Sequence, residues 1–526
     1  MEIPCLVRKR FLNVSFLDGI METKQGVFLR ESTGLVKEAG FWDAVSINIA
    51  NMSIGAALGT VGFTLAVLPS VTGVNLVYAS LIAFLLSVPQ IIVYTLLTTL
   101  IPRTGGDYVW LTRAFGPRAA WLVNGLVMAF VIQALAYYAL VAIAGVFQLE
   151  SVLPILGINA SFNTLSMISI AIALFAVIVI TNILGTKYGI RLMTVLTTIS
   201  LIGLIITVVI LFITPRSMAI AAINKLLPSG YTYSSLASSY KGPEFTLSGA
   251  FMVIPFFALY VYPWLMAGPA IASEIRGRGA IKYNVPAAAL ITMVMATIGF
   301  EALYRSLGFN FVTAALSNPN INGILNYWTI AMAVSSNNVL SWIIGISSVT
   351  WYLAILAYGA IVIVRYWFAL ALDRVWPSFF AYVSPRFGTP IYAHAFDLAI
   401  TAMLIALTGI FYGTFTALYG TEVGPLTYLA LVGVAAVLIA LRKNRELSGG
   451  VRTALIVSGI LQFLVFIFLD YEFLAYPQIW GGNWLAYGVE LGAVVLGIAA
   501  YVIARSIYLK RYGIDISVAY VEIPPE

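Results

Sequence analysis

Cysteine and histidine are nearly missing: Cys5 and His394 stand alone in 526 residues. One cysteine permits no intrachain disulfide and no cysteine metal cluster, and one histidine excludes a multi-histidine metal site. Charge is scarce as well. Asp, Glu, Lys and Arg make up 9% of the chain, against roughly 25% in ordinary soluble domains. Paired acidic motifs, metal-ligand clusters and a nucleophile elbow are lacking, so the chain reads as no enzyme and needs no cofactor. A secretory leader is also missing, because no long apolar core and small-residue cleavage site follow Arg8, Lys9 and Arg10. Residues 1–40 read instead as a cytoplasmic N-terminal tail with a short amphipathic piece.

What the chain has is apolar sequence. Apolar residues make up 61% of it, and the mean hydropathy is +0.97. A span needs about 20 apolar residues to cross roughly 30 Å of hydrocarbon. Apolar runs predict an all-α polytopic membrane protein with twelve transmembrane helices. These fall near 44–67, 73–100, 118–146, 164–184, 189–214, 247–272, 283–308, 340–370, 391–412, 425–441, 453–470 and 485–508.

Loop charge supports that count. With the N-terminus inside, all of the 28 Lys and Arg except Arg216, Lys225, Lys241 and Arg305 fall in cytoplasmic segments, as the positive-inside rule requires. The net charge of +7 is therefore a topology signal, and no nucleic-acid partner is expected. The expected setting is the plasma (cytoplasmic) membrane, multi-pass, with both termini cytoplasmic. The lipid bilayer is one partner and a small-molecule substrate the other, in a monomer or weak homodimer. Two outer segments, 215–247 and 310–339, are long. The first reads either as a floppy loop or as a short helix over a substrate entrance.

Two spans at corresponding places are interrupted. The first carries Asn48-Ile-Ala-Asn-Met-Ser-Ile-Gly-Ala-Ala-Leu-Gly59, and the sixth carries Tyr260-Val-Tyr-Pro-Trp-Leu-Met-Ala-Gly-Pro269. Interruptions of this kind point to a binding site at mid-membrane. In the first span glycines weaken the helix, and Asn51 and Ser53 offer competing hydrogen bonds. An unwound turn there aims the amides around Ile54, Gly55 and Ala56 at an anionic group. The competing reading makes the glycines packing notches between helices. In the sixth span Pro263 has no N–H and frees a carbonyl near Leu259. Freed carbonyls suit an ammonium, and Tyr260, Tyr262 and Trp264 supply apolar walls and cation–π capacity. The competing reading is an ordinary proline kink with aromatic packing.

The polar gaps carry a resemblance. Pro102-Arg-Thr-Gly-Gly-Asp-Tyr-Val-Trp110 follows the second span, Ala371-Leu-Asp-Arg-Val-Trp-Pro377 follows the eighth, and Gly388-Thr-Pro390 opens the ninth. In order and spacing the three resemble the cytoplasmic signatures of the amino acid–polyamine–organocation (APC) superfamily permeases. Leu372 and Arg374 depart from the arginine and glycine usual there. Gly59-Thr-Val-Gly-Phe63 departs from the family's Gly-x-Gly-Ile-Phe, and Trp264 stands near its usual central glycine in the sixth span.

The resemblance implies a leucine-transporter-type 5+5 inverted repeat plus two extra helices. The repeats would cover 41–214 and 247–442, with 215–246 as an extracellular loop between them. Residues 443–526 would hold helices eleven and twelve and a cytoplasmic tail. It also implies a secondary active transporter of amino acids working by alternating access with ion-coupled symport. Spans one, three, six and eight carry no central acid, so neutral, apolar or aromatic amino acids are expected. An exchanger, or a carrier of an organic cation or nucleobase, is the alternative.

The coupling ion is expected to be Na+ or H+. Some proton-coupled members carry a lysine in the fifth span, where this chain has Ser200. With Ser347, Ser348 and Thr350 of the eighth span it offers hydroxyls to sodium. Such hydroxyls otherwise serve helix carbonyls. Buried acids that would carry protons instead are Glu301, Asp397 and Glu490. Glu301 has Arg305 one turn away, and Asp397 has His394. Arg103, Glu274 and Asp373, with Arg365, are expected at an inner gate.

Overall fold

The computed structural model describes residues 33–411, 421–443, 445–521 and 523. The tail containing Arg8, Lys9 and Arg10 lies outside the described residues. Every described element is a helix, and one isolated bridge joins Ala39 to Ile275.

The first span is two helices, α1 (Phe41–Asn51) and α2 (Ile54–Val67). Next come α3 (Leu76–Leu100), the short α4 (Gly106–Phe115), α5 (Ala120–Val152), α6 (Thr164–Ile183) and α7 (Thr186–Ile213). The long segment after α7 holds α8 (Arg216–Leu226) and α9 (Tyr233–Ser239). The sixth span is broken into α10 (Leu247–Tyr260) and α11 (Ala267–Ala270). Then follow α12 (Arg278–Leu307), α13 (Phe309–Leu316), α14 (Tyr327–Ser335), α15 (Asn338–Leu372) and α16 (Ile391–Ile410). The last three are α17 (Val423–Arg442), α18 (Gly449–Ala475) and α19 (Trp484–Tyr512).

Eleven helical stretches among the described residues are long and apolar enough to cross a membrane. They match eleven of the twelve expected spans, and the twelfth is the broken sixth. The protein is a multi-pass helical membrane protein. Asparagine opens several spans: Asn75, Asn163, Asn337 and Asn483 each accept a backbone N–H with the side-chain oxygen. This satisfies donors that the helix itself leaves unpaired.

Burial separates centre from rim. Of the apolar window of each span, 94% is buried for α15 and 83% for both α5 and the first span, against 22% for α19. The centre is therefore α1, α2, α5 and α15, while α19 turns apolar side chains outward, as a lipid-facing helix does.

The 215–247 segment is ordered, so the floppy-loop reading fails. Tyr233 Oη donates to the Leu307 carbonyl at 2.7 Å, and Arg216 Nη2 reaches the same oxygen at 3.3 Å. Both satisfy the open end of α12, and the Tyr233 ring stacks on Phe311 at 4.6 Å. The cover nearest the broken first span comes from the other long segment. Trp328 of α14 donates its indole N–H to the Gly55 carbonyl at 2.9 Å.

Candidate functional site: a cavity between two broken helices

α1 stops at Asn51 and α2 starts at Ile54. Between them Ser53 holds a left-handed φ of 51°, a conformation unfavourable for a residue with a Cβ. Its hydroxyl donates to the carbonyls of Asn51 at 3.0 Å and Ala50 at 3.3 Å, which anchors the turn. The amides that open α2 have no intrahelical partner by construction.

α10 stops at Tyr260, and the chain stays non-helical until Ala267. Side chains meet the backbone groups freed there. Gln90 of α3 donates to the Pro263 carbonyl at 2.7 Å. Asn48 of α1 accepts from the Gly268 N–H at 2.8 Å and donates to Asn284 of α12 at 2.9 Å. Asn51 donates to Met266 Sδ at 3.0 Å. The two breaks are therefore stitched to each other, as irregular backbone inside a membrane must be.

A small cavity of about 20 Å³ lies beside them, room for about one water molecule. Asn51, Trp264 and Met266 line it from the breaks. Gln133, Tyr137 and Tyr138 line it from α5, Tyr358 from α15, and Glu422 from the N-terminus of α17. Tyr137 Oη lies 3.4 Å from Ser53 Oγ, which joins the cavity wall to the first break. Gln133 Nε2 donates to Glu422 Oε1. Glu422 is 1% exposed, and its Oε2 has no hydrogen-bond partner among the described residues.

Of the expected substrate residues, Asn51 and Trp264 line the cavity and Ser53 adjoins it. Ile54 and Ala56 are buried in α2. Gly55 is a packing position: a Cβ there would lie 2.0 Å from the Trp351 indole. Tyr262 turns toward α3, where its hydroxyl meets Ser80 Oγ at 2.7 Å. Together with Pro263 it lines a separate cleft toward α3 and α18. The Tyr260 ring packs on Phe256 at 5.2 Å. Leu259 is the penultimate residue of α10, and its side chain lies outside the described residues.

The expected ion residues divide. Ser347 donates to the Ser200 carbonyl at 3.0 Å, and Ser200 Oγ meets Thr350 Oγ1 at 2.8 Å. These three share the α7–α15 seam. Ser348 faces α5 instead, where Gln148 donates to it at 3.2 Å while it donates to the Gly345 carbonyl at 2.8 Å.

Of the expected gate residues, Glu274 and Arg365 pair with each other, while Asp373 takes Arg113 as its partner. Glu274 pairs with Arg365 through two bonds of 2.7 and 2.8 Å, and Asp373 pairs with Arg113 through bonds of 2.8 and 3.0 Å. All four are buried. Arg103 Nη1 reaches the carbonyl of its neighbour Pro102 at 3.2 Å. The Pro102–Tyr108 motif docks here because its glycines admit close approach. Gly105 and Gly106 have φ of 86° and 42°. A Cβ on Gly106 would lie 2.8 Å from the Pro269 backbone. Asp107, next in the motif, accepts hydroxyls from Tyr94, Tyr366 and Tyr428 at 2.6–2.8 Å, tying together α3, α15 and α17.

Among the expected buried acids, Glu301 is exposed on α12. Asp397 and His394 are buried in α16, and Asp397 Oδ1 takes a 3.4 Å bond from Thr401. Glu490 reaches from α19 to α17: its Oε1 lies where a Cβ on Gly424 would approach it to 2.7 Å. That is two residues from Glu422.

Glu422 itself escaped the sequence reading. The tenth apolar run begins at 425, which places Glu422 in an outer loop. Gln133, Tyr137 and Tyr138 were readable as polar and aromatic residues at the middle of a long third span.

Two helices broken side by side next to a small, partly aromatic cavity form the kind of centre at which membrane transporters bind their solutes. The chain belongs to the amino acid permease family: a family model described as "Amino acid permease" matches residues 40–487. It is also similar, at 34% identity over 89 residues, to "Uncharacterized protein 399" of Sulfolobus islandicus rod-shaped virus 1. That match covers 17% of this chain and 22% of the viral protein.

Proposed function

We propose that this permease is a secondary transporter that carries an amino acid across the cytoplasmic membrane by alternating access. The observation that carries the reading is the shared cavity at the two breaks. Amides opening α2 would hold the carboxylate, and carbonyls of the 261–266 stretch would hold the amine. The 5+5 inverted repeat and the inside placement of both termini belong to the same proposal, on the strength of the paired breaks and the loop charge.

Symport is the proposed coupling. For sodium, the expected Ser200, Ser347 and Ser348 would be ligands together with Thr350, with Ser200, Ser347 and Thr350 already side by side and Ser348 facing Gln148. The preference for neutral side chains rested on an absence of acid in spans one, three, six and eight. Glu422 of the tenth span enters the cavity and weakens that preference.

Purified protein in liposomes tests the reading. Uptake of labelled neutral and cationic amino acids is followed under an inward sodium gradient, a proton gradient or neither. Accumulation of at least one amino acid driven by one gradient is expected. Exchange without accumulation would mark an antiporter, and no flux of any amino acid would overturn the substrate class.

A further inference from the structure

Glu422 is not accounted for by carriage of a neutral amino acid. We propose that it is the specificity-determining carboxylate of the cavity, and that the carried amino acid has a cationic side chain ending in an ammonium or guanidinium. The inference rests on the transport reading and names its substrate class.

Four observations support it. Glu422 is 1% exposed, and one carboxylate oxygen has no partner among the described residues. A buried carboxylate left that way is costly unless a cation or proton joins it. Among the described residues the cavity lining contains no Lys, Arg or His, so a cation at Glu422 would come with the solute. The other titratable groups facing Glu422 from the packed elements are Tyr137 and Tyr138 of α5, Tyr358 of α15 and Glu490 of α19. The three tyrosines and Trp264 bring aromatic rings to the lining, a residue type that can stabilise a cation. Glu490 adds a second carboxylate beside Gly424, which favours positive charge in the cavity further.

The spacing fits as well. Gln133 holds Glu422, and Tyr137, one turn further along α5, touches Ser53 at the first break. Four residues of helix rise about 6 Å. That is roughly the span from the α-carbon of lysine or arginine to its charged end. The zwitterionic end would sit at the breaks and the charged end at Glu422.

The test uses the full chain in liposomes. Lysine, arginine and ornithine compete against leucine and phenylalanine for binding and uptake, in wild type, Glu422→Gln and Glu422→Asp. Wild type is expected to prefer the cationic set. E422Q should lower the cationic-to-neutral ratio about thirtyfold or more, with E422D between the two. Wild-type flux of neutral amino acids with no cationic competition would overturn the proposal even if E422Q failed to fold. So would an unchanged ratio in E422Q. Loss of proton-driven accumulation in E422Q with neutral exchange retained would make Glu422 a proton carrier and also overturn it. No flux of any amino acid would instead strike the transport reading beneath it.

Discussion

Single side chains carry the irregular parts of this fold. Asn48 and Gln90 meet groups that the sixth-span break leaves open, and Ser53 holds the left-handed turn of the first. The breaks were legible in the sequence because glycine, proline and asparagine interrupt apolar runs there. Glu422 was not, because it ends such a run, and a hydropathy reading discards the polar residue at the edge. Arg374 makes the same point from the other side. It replaces the family's usual glycine and holds φ of 61°, while its guanidinium lies 5.3 Å over the Tyr508 ring. The strain is local, so Arg374→Gly should be more stable than Arg374→Ala by about 1 kcal/mol, the left-handed cost less glycine's extra unfolded-state entropy. Thermal unfolding of both variants in detergent measures it. Equal melting temperatures would mean that the loop relaxes.

At the scale of elements, the basic face is locked by buried polar links. Glu38 and Ala39 donate backbone N–H groups to the Glu274 carbonyl at 3.0 Å, and Glu274 pairs with Arg365 of α15. The segment before α1, the end of the sixth span and α15 are thereby joined at one residue. The sequence supplied both acids and Arg365 but missed Arg113, which meets Asp373 only through the docking of helices far apart in the chain. Removing one member of a buried pair costs ~3–5 kcal/mol, whereas replacing both by apolar residues of similar volume is often neutral. Glu274→Met alone should therefore unfold at a much lower temperature, and Glu274→Met with Arg365→Met should recover most of the loss. If the pair is a gate, the double variant should still accumulate substrate poorly in liposomes. Wild-type accumulation by the double variant would reduce the pair to scaffolding.

At the scale of the whole molecule, ten continuous spans and two broken ones pack together among the described residues, with a small cavity beside the two breaks. The span count was readable because each span imposes a length on its apolar run, and loop charge fixed the parity. The packing of α4, α13 and α14 was not readable, since it sets them against helices far away in the chain.

Alternating access is the central claim, and it requires the cavity to open to each side in turn. Ala134 lines that cavity, and the natural chain has a single cysteine, Cys5. In a Cys5→Ser background, Ala134→Cys can be probed with a membrane-impermeant maleimide added to either side of oriented liposomes. The account predicts labelling from both sides, slowed from both by a transported amino acid. Labelling confined to one side under every gradient and substrate condition would contradict it.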